Sequence, residues 1–114
     1  MIIQSMKGLG DNILQHDQGC EAITCLDSLE HIPEPEKLLA KVEKYVFVSM
    51  PIYDGMNDCL NSKHYKPGEH LHYFTVRGLK LFMRQNGFDL ISSSTIESDF
   101  GREGIMSFVF ARKV

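Results

Sequence analysis

The sequence predicts an α/β domain with a mostly parallel sheet and one antiparallel strand, on three observations. Residues 22–26 and 45–50 are apolar runs with almost no polar alternation, as in strands buried on both faces. A helix signal lies between them, opened by Pro35. Two further strand-like runs, 88–96 and 105–111, stand close enough in sequence to form a hairpin. A chain of 114 residues is one domain and can bury a sizeable core.

Taken in order, residues 1–6 suit a short strand, Gly8-Leu9-Gly10 a turn, and residues 11–16 one or two helical turns. The strand at 22–26 follows. Pro35 then fits the first helical position, where its missing N–H is not needed. Glu34 and Glu36 favour the positive end of that helix, and Lys41 and Lys44 close its last turn. Leu38, Leu39 and Val42 form its apolar face. The strand 45–50 ends at Pro51, and residues 52–74 show no regular pattern. A stretch of that length in a compact domain is usually functional or mobile. Thr75 caps a helix whose core face is Leu79, Phe82 and Met83 and whose stop is Gly87.

Composition excludes several functions. A net charge of −3 gives no broad pull toward nucleic acid or an anionic membrane. The basic cluster Lys63-His64-Tyr65-Lys66 reads as a solvated loop rather than a phosphate contact. No apolar stretch approaches the ~20 residues of a membrane span. Three cysteines, Cys20, Cys25 and Cys59, with no Cys-x-x-Cys pair, argue against a disulfide framework or a cysteine zinc site. Reduced thiols and a cytoplasmic setting are the expectation.

The most informative stretch is Leu26-Asp27-Ser28-Leu29-Glu30-His31-Ile32-Pro33, which leaves a strand carrying two acids and a histidine. In open α/β sheets, ligands bind just beyond the carboxyl ends of the strands. This stretch, the strand end Ser49-Met50-Pro51, the run from Gly68 through Glu69-His70-Leu71-His72-Tyr73-Phe74 to Thr75, and Gly87-Phe88 occur in a fixed order. In that order they resemble a broad bacterial and phage family of S-adenosylmethionine-dependent methyltransferases.

The resemblance covers about residues 21–113 and implies a partial Rossmann-like methyltransferase sheet, from its fourth to its seventh strand. Residues 1–20 then form a divergent N-terminal segment. The resemblance implies S-adenosylmethionine as cofactor, with Asp27, Ser28 and Leu29 at its methionine end. It makes Asp27 a candidate catalytic residue; His70 and His72, which alternate around Leu71 just before the helix capped by Thr75, are candidates as neutral histidines able to act as base. Asp27-x-x-Glu30-His31 is also similar to the Glu-x-x-Glu-His motif of metal-dependent O-methyltransferases. On that likeness Asp27, Glu30, His31 and His72, or His70 in place of His72, are candidate ligands for a divalent ion. The competing readings are a helix-approach turn for Asp27 and hydrogen-bonded loop histidines for His70 and His72.

The family's glycine-rich cofactor loop has no clear counterpart. A G-x-G-x-x-G pattern from Gly8 requires glycine where Ile13 stands. The expectation is therefore weak or no independent methyl transfer, from a truncated relative. The alternative is a non-catalytic binding or assembly module derived from such an enzyme. The acceptor is a small molecule or a glycan-like end group, and Tyr53 and Tyr65 either line its pocket or cover the sheet. A strand at 22–26 without its inner neighbour leaves an open edge. Either residues 1–6 fold back over it, or two chains pair there as a homodimer, the favoured outcome.

Overall fold

The computed structural model describes residues 3–6, 19–26, 28–68 and 72–113, with residues 3–6 and 97 described by their backbone alone. Among these residues five strands form one sheet: β1 (Ile3–Met6), β2 (Cys20–Leu26), β3 (Val42–Pro51), β4 (Phe88–Ser94) and β5 (Ile105–Arg112), in the order β1-β2-β3-β5-β4. β1 pairs parallel with β2, and β2 parallel with β3. β5 runs antiparallel to both β3 and β4, so the other four strands share one direction. This is the mixed sheet expected, and Ile3–Met6 pairs along β2, one of the two arrangements expected for that edge.

The helices are α1 (Pro35–Leu39), α2 (Met56–Asn61), α3 (Val76–Gln85) and a single turn, α4 (Ile96–Asp99). Leu38 and Leu39 of α1 and Leu79 and Met83 of α3 share one apolar core with Ile23, Cys25, Val46, Val48, Met50, Phe88, Phe108 and Phe110. Both helices therefore lie on the same face of the sheet. Right-handed crossovers explain this, because β2 to β3 and β3 to β4 both advance in the same direction across the strand order. The alternate residues of the strands point the other way. Among them Tyr45, Phe47 and Val109 are half-buried and Leu26 is 49% exposed.

Two boundaries differ from the sequence reading. The first helix ends at Leu39, and Val42 begins a strand instead of finishing the helix. Hydrogen bonding decides this. Cys20 N–H donates to Lys41 O at 3.0 Å, and the Arg112 guanidinium donates to Leu39 O at 2.8 Å and also to Val42 O. The same guanidinium lies 4.3 Å over the Phe88 ring, tying the end of β5 to the α1–β3 junction. The second difference is α2, which forms within the stretch that lacked a pattern. The α3 boundaries match: Thr75 Oγ1 accepts from Gly78 N–H at 2.9 Å, and Gly87 takes a φ of +92° that favours glycine. The helical turns expected at residues 11–16 lie outside the described residues.

Candidate functional site at the carboxyl ends of the strands

β2 hands the chain to a 3-10 turn, Leu29–His31. His31 N–H donates to Ser28 O at 3.0 Å and Ile32 N–H to Leu29 O at 3.2 Å, so the turn closes within five residues. Ser28 and Leu29 are fully buried and Glu30 is 2% exposed. The Leu29 side chain belongs to the main core. Burying a carboxyl is costly unless neighbours compensate. The His31 imidazole approaches it, with Nε2 at 3.7 Å from Glu30 Oε1.

His72 joins this turn from the far end of the long connection. Its backbone N–H donates to Glu30 O at 3.2 Å, and its Nε2 lies 2.6 Å from Ile32 O. A carbonyl only accepts, so Nε2 carries the proton, and Nδ1 remains as the second ring nitrogen. The structure thus brings Ser28, Leu29, Glu30, His31 and His72 together at one strand exit. Asp27 and His70, the other two candidates, lie outside the described residues, as does Gly8-Leu9-Gly10. Among the described residues, no three His, Cys, Asp or Glu side chains are placed to hold a metal ion.

Burial sets the local proton chemistry. It pushes the Cys25 thiol up to about 12, helped by the negative charge of Glu30 and opposed by the Ser28 hydroxyl. It also pushes the Tyr53 phenol up to about 12, with smaller contributions from Cys59, Tyr73, Glu30 and Asp58. Both groups are therefore neutral at physiological pH, and neither is a poised nucleophile.

Two concavities flank the exit of β3. One, of about 320 Å³, is polar and is lined by Asp58, Lys63, His64 and Glu103 among others. His64 Nε2 lies 2.9 Å from Glu103 O there, and the rest of the basic cluster, Lys63, Tyr65 and Lys66, is exposed. The other, of about 190 Å³, is walled by Tyr53, Met56, Cys59, Tyr73 and Phe74. Sequence reasoning named Tyr53 but not this pocket. The adjacent aromatics Tyr73-Phe74, directly before the helix cap, are a signal that could have pointed to it. Tyr53 is 4% exposed, and its ring stands 5.8 Å from that of Tyr73.

No helix among the described residues is long and apolar enough to cross a membrane. A methyltransferase-domain family model matches residues 5–93. No curated protein matches the sequence. Among solved structures, magnesium protoporphyrin IX methyltransferase from Synechocystis PCC 6803 with bound SAH superposes with a TM-score of 0.57 at 17% identity, over 90% of this chain and 49% of that one. The cyclase SpnF gives 0.58 at 11% identity, over 86% of this chain and 51% of that one. LepI in complex with SAM gives 0.61 at 13% identity, over 98% of this chain and 36% of that one. The chain spans about half or less of the length of these structures. At such identities the superpositions establish the fold alone, and a cyclase shares it with a methyltransferase. The family match covers most of the sequence and includes every strand from β2 to nearly the end of β4. This chain belongs to the methyltransferase-domain family.

Proposed function

We propose that the chain binds S-adenosylmethionine at the carboxyl ends of β1, β2 and β3 and presents a methyl acceptor beside it. The observation that carries this reading is the buried turn 28–31. It sits where ligands bind in open α/β sheets, and a second segment ties it down through His72. The cofactor carries an ammonium and a sulfonium. A buried carboxyl at Glu30, reinforced by Asp27 in the sequence, suits that positive charge, so the turn fits this part of the cofactor. Ser28 and Leu29 contribute backbone groups at its methionine end. The bound cofactor supplies the transferable methyl group. The protein's own part is to orient the acceptor and exclude water, with Nδ1 of His72, or His70, receiving the acceptor's proton.

On this reading the isolated 114 residues transfer methyl groups poorly or not at all, because the sequence offers no complete glycine-rich loop for the rest of the cofactor. Calorimetry with S-adenosylmethionine tests the proposal. Micromolar affinity supports a working site, and no heat favours the second reading, a non-catalytic module. Robust methyl transfer by the purified chain, abolished in Asp27→Ala, contradicts the weak-activity part.

The proposed assembly is a homodimer through the sheet edge. With Ile3–Met6 in place, the edge offered is β1 rather than β2. Light scattering at micromolar concentration decides it. A dimer that dissociates when Ile2 and Ile3 are changed to lysine places that edge in the interface, and a monomer overturns it.

A further inference from the structure

We infer that the 190 Å³ pocket walled by Tyr53, Cys59, Tyr73 and Phe74 takes one planar aromatic ring of a small ligand, which on the methyltransferase reading is the acceptor. The inference rests on that reading only for the word acceptor, and the binding itself stands apart from it.

The chemistry of the walls selects the ligand. Every hydroxyl lining the pocket is already engaged with backbone. Tyr53 Oη donates to His64 O at 3.3 Å, Tyr73 Oη accepts from Lys66 N–H at 3.2 Å, and Thr75 Oγ1 accepts from Gly78 N–H at 2.9 Å. Burial, and then the neighbouring Asp58, raise the Cys59 thiol, which stays neutral. Besides these engaged hydroxyls, the walls offer a ligand ring surface and sulfur, the latter from Cys59 and from Met56. A sugar entering such a site gives up its hydrogen bonds to water and regains few. A flat ring gains offset or edge-to-face contacts with aromatic neighbours and soft contacts with sulfur. The rings of Tyr53 and Tyr73 are already set at 53° to one another, and Tyr65 stands 5.4 Å from Tyr73 at 51°. Tilted walls of this kind give an inserted ring both a face and an edge to meet.

Position connects the pocket to the turn after β2. Tyr53 N–H donates to Phe74 O at 3.0 Å, while His72, two residues earlier, holds Glu30 O and Ile32 O. One short segment, residues 72–75, thus forms a pocket wall and clasps the candidate cofactor turn. The polar cleft beside Asp58 and Glu103 is linked through His64 to the start of β5 instead.

The experiment is a titration of the full chain with phenol, and separately with cyclohexanol and glucose, followed by amide chemical shifts. The expected result is saturable shifts at Tyr53, Gly55, Cys59 and Phe74 with phenol, about tenfold weaker binding of cyclohexanol, and none of glucose at these residues. Cys59→Leu, which fills the pocket, is expected to abolish the phenol shifts while the rest of the spectrum keeps its dispersion. Equal binding of cyclohexanol, glucose binding at these residues, or phenol shifts elsewhere overturns the inference. A parallel titration with S-adenosylmethionine separates the two claims. Cofactor binding without phenol binding removes the ring site and leaves the methyltransferase reading. Phenol binding without cofactor binding does the reverse.

Discussion

β2 ends in five residues, 28–32, closed by two backbone hydrogen bonds, whereas the connection from β3 to α3 needs more than twenty, 52–75. In the first, Ser28, Leu29 and Glu30 are buried. In the second, Met56 is 74% and Leu60 50% exposed, and among the described residues only Tyr53 and Cys59 are buried. A ligand group common to all members of a family is best served by the first kind of connection, whose geometry is over-determined. A variable partner is best served by the second, whose side chains can change without disturbing the sheet. The two meet at His72, which belongs to the long connection and hydrogen-bonds to the short one.

The contrast is broken most severely by emptying the short exit. Leu29→Ala removes a fully buried side chain and is expected to cost about 2–5 kcal/mol in urea unfolding. A cost below about 1 kcal/mol means that the turn is not anchored by the core. Alkaline pH acts on the same region through Cys25, and on the long connection through Tyr53. Both folded-state values are raised to about 12, so in the unfolded chain these groups lose their protons at lower pH. Stability is then fully present below about pH 9 and falls as pH rises toward 12, by up to about 1.4 kcal/mol per pH unit for each group. The Cys25 thiol is accordingly expected to resist thiol reagents until the protein unfolds, and rapid labelling in the native state contradicts its burial.

Smaller effects sharpen the comparison. Thr75→Ala removes the cap where the long connection enters α3 and is expected to cost about 1 kcal/mol. His72→Leu loses the side-chain bond to Ile32 O, for about 0.5–1.5 kcal/mol, and is expected to speed amide exchange in residues 28–32 more than in β3. Uniform acceleration across the sheet would mean that His72 does not act as a local clasp. Met56→Ala, on the exposed side of the long connection, is expected to change stability by no more than about 0.5 kcal/mol.

The sheet was legible because its inner strands are short apolar runs rich in β-branched and aromatic residues, bounded by turn signals. The hairpin of β4 and β5 and the Thr75-to-Gly87 limits of α3 were legible for local reasons, a short connection, a cap and a positive φ. The end of α1 was not. Lys41 and Lys44 satisfy a helix dipole, yet Cys20 and Arg112, distant in sequence, claim the carbonyls that a longer helix would need. Nor was α2 legible, since it is six residues long and buries only Cys59. At the site, the turn after β2 was found from its acids and its place after a strand. The aromatic pocket was missed because its walls come from Tyr53, Cys59 and Tyr73, which no single sequence period connects.

The turn after β2 is the element that S-adenosylmethionine is expected to meet first. Amide chemical shifts of the full chain during a titration with that compound read this directly. Saturable shifts concentrated in residues 28–31 and at His72, with β4 and α3 unmoved, are the predicted result. No shifts at millimolar ligand, or shifts confined to regions away from the carboxyl ends of β2 and β3, would contradict it.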